Sequence, residues 1–482
     1  MERTSASVLD ADPTSPEPGG ADALGDRLEA LRDEQKQVCH DIGAAKRRGE
    51  SADDLIEQNR LISQQIDALV EQEHVAQEAE HDKTAAAGPL TVSIESSSDA
   101  FRDLREEWDE LLLSSDCDSP FLTWEWLYTW WEVYGGDKEL YLVLVRSPDG
   151  KLVGAAPLMI GYRDFRQPKR LHRRTLAFLG TGECLGPNYL KFIAAPDREA
   201  EVTGSVLDRV AEDAGRWDIA LLRHVPCEWH AGHVLAKLAA HQRLCVHVGP
   251  AEPCVWGTLP ASFDEYIRAV PAERRRSYLR NQDKRLRNRF GRVSYSTCET
   301  MEWVVAYVQT LIELHLARFA RKGEQSAWED PDVYTLMTCV AQRFHERGWV
   351  CLDKLTLDGE PAGALMGFLF KGTYFLLQSG LLPRFAHAHP THALYRYRIE
   401  RLIDGGVERF DFLGAPHGYK KQYFRGRRYV TTLTVFSDGH RDAFKAGWRL
   451  AAQNAAPALR EWTKRLLRAR RLPVLMSEEV DV

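Results

Sequence analysis

The chemistry in this chain concentrates where one carboxylate interrupts an apolar run. Val407 to Leu413 reads as a strand in which Asp411 sits between Phe410 and Phe412. An unpaired carboxylate there would be costly. Asp411 therefore needs either donors to accept from or a pocket in which it acts as an acid or base, and it is the leading general-base candidate. Just downstream, Tyr419, Lys420, Lys421 and Tyr423 form an aromatic and basic segment flanked by glycines. Upstream, a strand ends at Ser379-Gly380, a loop follows, and Pro390 with Thr391 stands at a helix start, where His387, His389 and His392 crowd one corner. The unpaired N–H groups of a helix start favour anions. The blander reading of the histidines, solvent-exposed loop residues beside a proline helix start, is the favoured one for each alone, and with no cysteine or carboxylate to complete a zinc set, no metal is expected.

These residues hang on an alternating pattern of strands and helices. Val293 to Ser296 reads as a strand, helices follow around Trp303 to Phe319 and Val333 to Arg347, and Trp349 to Leu357 turns at Asp358-Gly359 into Glu360 to Phe370. Lys371-Gly372 then turns into Thr373 to Gln378, and a helix from Thr391 to Asp404 precedes the Asp411 strand. The first half repeats the order. A strand at Leu90 to Ile94 leads to helices at Phe101 to Leu113 and Trp124 to Tyr134, then to a strand at Leu140 to Val145 and a hairpin turning at Asp149-Gly150. Two such units point to duplication of one α/β module. Between them, Arg274, Arg275, Arg276, Arg280, Lys284, Arg285, Arg287, Arg289 and Arg292 oppose only Glu273 and Asp283. This basic face either contacts phosphate or is a solvated helix packed through Tyr278, Leu286 and Phe290.

N-terminal to the modules the periodicity changes. After a disordered leader over residues 1–20, Leu24, Leu28, Leu31, Val38, Ile42 and Ala45 form a heptad seam that breaks at Gly49 and resumes at Leu55, Ile62, Ile66 and Leu69. Residues 21–76 thus read as an antiparallel coiled-coil hairpin, each arm roughly 37 Å long at 1.5 Å per residue. Its tip carries Lys46, Arg47 and Arg48. A linker over 77–89, a first module over 90–260, a second over 261–440 and a C-terminal helix and tail over 441–482 complete the expected organisation.

Composition narrows the class. A net charge of −7 is too mild to mark the whole of the 482 residues as a nucleic-acid binder or an acidic disordered chain, and 44% hydrophobic content with 13 Trp can fill sizeable cores. The 9 cysteines are scattered and form no C-x-x-C pair, which argues against a disulfide framework or structural zinc. No apolar run approaches the roughly 18 residues of a membrane span, and a cytoplasmic location is expected.

Two resemblances follow from these residues. The tandem α/β region resembles the FemAB/CelD-like branch of the GNAT acyltransferase superfamily through Pro120-Phe121, Glu125-Trp126-Leu127, Trp130-Trp131 and Tyr134-Gly135, and through Leu152 to Leu158. In the second half it does so through Gly359-x-Pro361-Ala362-Gly363, Gly372-Thr373-Tyr374, Phe410 to Gly414 and Tyr419-Lys420. The implied fold is α/β (α+β), with tandem GNAT-like modules. The implied activity is acyl transfer from acyl-CoA such as acetyl-CoA, or in some relatives from aminoacyl-tRNA, to an amine or hydroxyl on a small molecule or polysaccharide precursor. No tightly bound cofactor is implied. The resemblance places Ser379, Gly380, His389, Thr391 and His392 at the donor, Asp411, Lys420 and Tyr419 at the chemistry, and Trp126, Glu183, Asn188, Tyr189 and Tyr423 near the acceptor. Relatives often carry an acidic residue where Asn188 stands, and asparagine cannot be a general base, so Glu183 would have to substitute.

The hairpin, through Leu31-Arg32, Glu34, Val38, Ile42-Gly43, Ala45-Lys46, Gly49-Glu50, Ala52 and Leu55-Ile56, resembles the tRNA-binding arm of seryl-tRNA synthetases. That implies tRNA contact through Lys46, Arg47 and Arg48, joined by Arg280; a dimerising or spacer hairpin fits the same heptads. An RNA-binding or scaffold protein on a transferase fold is the non-enzymatic alternative.

Overall fold

The computed structural model describes residues 88–163, 173–182, 187–229, 244–271, 273–414, 418–437 and 474–476, with single positions at 31, 34, 37, 38, 62 and 234. The chain divides into two compact units, Met1–Pro89 and Leu90–Val482. In the first unit Leu31, Glu34, Gln37, Val38 and Ile62 are helical, with Val38 and Ile62 buried. The hairpin tip at Lys46, Arg47 and Arg48 lies outside the described residues, as does Glu183.

The second unit runs through one order of elements twice. Strand β1 (Thr91–Glu95) is followed by helices α1 (Ser98–Asp103), α2 (Arg105–Ser114) and α3 (Trp124–Tyr134), and then by β2 (Glu139–Arg146), β3 (Leu152–Arg163), β4 (Arg173–Phe178) and the short β5 (Ile193–Ala194). Helix α4 (Glu199–Glu212) and β6 (Ile219–Pro226) close the first pass. After β7 (Cys245–Val248), β8 (Glu252–Thr258), α5 (Phe263–Ala269) and α6 (Glu273–Arg287), the second pass starts at β9 (Val293–Thr297). It continues through α7 (Met301–Lys322), α8 (Pro331–Glu346), β10 (Val350–Leu357), β11 (Glu360–Phe370), β12 (Thr373–Leu381), α9 (Pro390–Asp404) and β13 (Arg409–Asp411). Strand β14 (Gly426–Phe436) follows, and β15 (Val474–Met476) pairs in parallel with β7.

Local chemistry sets these boundaries. The Thr123 hydroxyl accepts from the Trp126 N–H to start α3, and Asp330 caps α8 with Pro331 in its first turn. The tight β10–β11 and β11–β12 hairpins turn through Asp358-Gly359 and Lys371-Gly372, all four at positive φ as a primed two-residue turn requires.

Each pass ends with a parallel pair, β4 with β6 and β12 with β13. The sheet order β1-β2-β3-β4-β6-β14-β8-β13-β12-β11-β10-β9 shows how the halves join. Strand β8, which follows the first pass, pairs with β13 of the second, whereas β14, which follows the second, pairs with β6 of the first. The halves thus exchange their closing strands, and β8 and β14 pair with each other at the centre. Side chains reinforce the join. Lys371 donates to the carbonyls of Leu112 (2.8 Å) and Ser115 at the end of α2, and Arg343 of α8 and Arg347, which caps that helix, pair with Glu132 and Asp109. Among the described residues no helix is long and apolar enough to cross a membrane, and no group of His, Cys, Asp or Glu could hold a metal ion.

Candidate active site

Strand β13 is short because its own carboxylate ends it. The Leu413 N–H donates to Asp411 Oδ1 at 2.7 Å, and Leu413 takes φ 49°, so the chain turns away where the sequence pattern would carry a strand on to residue 413. Alternation puts Arg409 and Asp411 on one face of β13 and Phe410 on the other, where Phe410 joins the core. Register aligns Thr373 and Phe375 of β12 with Arg409 and Asp411, and sets Trp256 of β8 against Asp411 from the other side. Together they floor a cleft of about 440 Å³ at the centre of the exchanged sheet.

Asp411 is buried, and the Tyr189 hydroxyl donates to its Oδ2 at 2.7 Å. Burial pushes the Asp411 carboxyl up to about 6, against the opposing pull of the Tyr189 and Leu413 hydrogen bonds and the Arg428 charge. Tyr189 comes from the first half of the chain and holds φ 62°, a conformation uncommon for a bulky residue. Burial, followed by the neighbouring Asp411 charge, raises its phenol so that it stays protonated as a donor. Desolvation raises the buried Cys254 thiol to about 11. The Arg428 guanidinium lies 4.0 Å above the Tyr189 ring and bonds Asp118 at 2.7 Å and Glu228 at 3.4 Å.

Lys420 is buried behind Asp411, its ammonium donating to the carbonyls of Phe412 (3.1 Å) and Leu413. Desolvation lowers its pKa, with Cys254 and Asp411 pulling the other way. Its first visible task is to brace the turn that ends β13. The Tyr419 ring lies parallel to Tyr395, and Tyr423 bonds His392 Nδ1 at 2.6 Å. Burial, aided by Arg275 and His389, lowers His392 to about 3, so the ring beside the Tyr423 hydroxyl is neutral. These residues form one aromatic cluster under α9 rather than a polar loop.

The corner at the start of α9 is more mixed. Ser379 is buried and accepts from the Tyr395 hydroxyl at 3.4 Å. Gly380 is needed for packing, since a Cβ there would stand 2.8 Å from the Leu311 carbonyl of α7. His389 is exposed at φ 52° just before Pro390, and Thr391 is half-buried. The helix itself is fixed by a buried ion pair, with Arg398 Nε 2.7 Å from Asp353 Oδ2 on β10. A groove of about 820 Å³ runs from this corner along α6, between Tyr278, Arg285 and Arg289 on one side and His387 and His389 on the other. Arg275 and Arg285 flank the Tyr278 ring, and Gln282 donates to the Ala388 carbonyl at 3.2 Å. The basic stretch therefore faces the start of α9, although Arg280 is exposed and not part of the groove wall.

Among the expected acceptor residues, Tyr189 meets Asp411, but Trp126 lies wholly in the core against Phe121 and Phe368. Asn188 is buried, its carbonyl accepting from Ser119 at 2.8 Å, and Tyr423 belongs to the aromatic cluster. Sequence reasoning missed Arg409, Thr373, Trp256 and Arg428. The first was within reach, because a residue two before Asp411 on a strand must share its face.

Residues 273–421 match the family model described as an acetyltransferase (GNAT) domain. No curated protein matches. Among solved structures, FemX matches at 12% identity, covering 73% of this chain and 98% of FemX with a TM-score of 0.51, which shows a shared fold. A conserved protein of unknown function from Bacteroides thetaiotaomicron VPI-5482 matches at 12% identity over 72% of this chain and 100% of that one, with a TM-score of 0.45. A tandem GNAT protein from the clavulanic acid biosynthesis pathway matches at 14% identity over 72% and 98%, with a TM-score of 0.40. By the family model, residues 273–421 carry a GNAT-type acyltransferase domain.

Proposed function

We propose that the protein transfers an acyl group from an acyl-CoA thioester, held by the second module, to an amine or hydroxyl in the cleft over β13. One observation carries this reading. Within the acetyltransferase-type domain, the carboxylate ending the parallel β12–β13 pair is buried, lifted to about 6 and held by a tyrosine from the other half of the chain. A base with that pKa is ionised at neutral pH and still able to take a proton.

Asp411 would accept the proton of the incoming amine as nitrogen attacks the thioester carbonyl. Collapse of the tetrahedral intermediate breaks the C–S bond, and the thiolate leaves as the thiol by taking up a proton from Asp411 or solvent. Tyr189 and the Leu413 N–H keep the carboxylate aimed, and Lys420 places positive charge behind it to balance the developing oxyanion. Donor phosphates would lie at the start of α9 and along the Arg285–Arg289 groove, where the helix end and guanidinium groups favour anions. Ser379, Tyr419 and His392 would then shape the wall between groove and cleft.

The test is Asp411→Asn, which keeps the shape and removes the charge. Acetyl transfer from acetyl-CoA to a panel of amines should fall by about 100-fold or more, as for other general bases, with the melting temperature close to that of the wild type. Full activity in the variant would end the assignment.

A further inference from the structure

The three arginines around the cleft are differently committed. Arg428 is engaged by Asp118 and Glu228. Arg427 turns back on the carbonyls of its own loop, those of Phe424, Arg425 and Gly426. Arg409 lines the cleft, and among the described residues its guanidinium makes no hydrogen bond or ion pair. It precedes Asp411 by two positions on one strand face, which sets their Cα atoms roughly 7 Å apart. Directly across the parallel pair stands Thr373, buried, with a hydroxyl that has no hydrogen-bond partner among the described residues. At the mouth, Trp256 and the exposed Tyr429 offer ring faces.

We infer that the acceptor is an amine that also carries an anionic group, a carboxylate or a phosphate, bound by Arg409 while the amine is presented to Asp411. An uncommitted guanidinium beside an uncommitted hydroxyl is a fork of donors with no acceptor, and either anion supplies the missing oxygens. Arg427 adds positive charge at the same rim, where Asp118 and Glu228 already balance Arg428, and a neutral amine would leave Arg409 unmatched. The cleft, at about 440 Å³, is of small-molecule size. The amine half of this inference rests on the transferase reading; the anion subsite rests on the cleft alone.

The experiment is equilibrium binding without any acyl donor, on the full chain, using two matched pairs. These are glucosamine 6-phosphate against glucosamine, and 6-aminohexanoate against 6-aminohexanamide. At least one charged member should bind about tenfold or more tighter than its neutral partner, the low end for charge-assisted hydrogen bonds. Which pair shows the preference tells phosphate from carboxylate. In Arg409→Met the preference should shrink to within about twofold, and Arg409→Lys should retain part of it, since a point-like ammonium replaces one donor of the fork but not its geometry. Equal binding within both pairs, or a preference surviving in Arg409→Met, overturns the subsite. Because no donor is present, a protein that transfers nothing would still show the preference. A protein that acetylates charged and neutral amines alike would keep the transferase reading and lose this one.

Discussion

Replacing Tyr189 with phenylalanine should move the pH dependence of catalysis without removing catalysis. The hydroxyl donates to Asp411 Oδ2 at 2.7 Å, which favours the charged carboxylate. Its loss leaves the Leu413 N–H as the remaining direct donor to Asp411 among the described residues, so the pKa rises. A hydrogen bond to a charged group is worth about 1.5–3 kcal/mol, and a pKa unit about 1.4 kcal/mol, so the shift is about one to two units. Taking about one unit, the acid limb of kcat/KM moves from a midpoint of about 6 to about 7. The sign follows from the base being active when ionised: the variant is about tenfold slower at pH 5 and close to wild type near pH 9. Phenylalanine keeps the ring beneath Arg428, so that packing is retained. The assay is thiol release from acetyl-CoA across pH 5 to 9 for both proteins. A uniform drop at every pH, or a limb displaced toward acid, would refute the argument that Tyr189 acts through the Asp411 proton.

Two further outcomes are expected. Lys420→Met should lower the melting temperature by several degrees, because the buried carbonyls of Phe412 and Leu413 lose their ammonium at about 1–3 kcal/mol, and an unchanged melting temperature would contradict the bracing role. Residues 90–260 and 261–440 expressed separately should each fail to give a cooperative melt by circular dichroism, since β8 and β14 close each other's halves, while co-expression should restore soluble complex; an independently folded half would contradict the exchange.

Much of the local architecture was legible in the chain. Glu360 to Phe370 and Trp124 to Tyr134 coincide with β11 and α3, because Asp358-Gly359, Lys371-Gly372 and the Thr123 cap are short-range signals. Asp411 stood out for a similar reason, a charge in an apolar run. Its partner did not, because Tyr189 is 222 residues away and is delivered by a positive φ that no local pattern announces. Nor did the strand exchange: the sequences of β8 and β14 suit pairing with either half, and register between distant strands is settled only by the assembled sheet. Trp126 and Gly380 show the converse. Both looked like site residues, yet one fills the core and the other admits helix α7.

Acyl transfer from a CoA thioester by residues 90–482 alone is distinguished from transfer that needs the N-terminal residues by one comparison. The full chain and residues 90–482 should be incubated with acetyl-labelled acetyl-CoA and with aminoacyl-tRNA, each alongside charged and neutral small amines, with product identified by mass spectrometry. Labelled acetyl-amine is expected from both proteins at similar kcat/KM, and none from Asp411→Asn. Transfer from aminoacyl-tRNA alone, lost when residues 1–89 are removed, would contradict it.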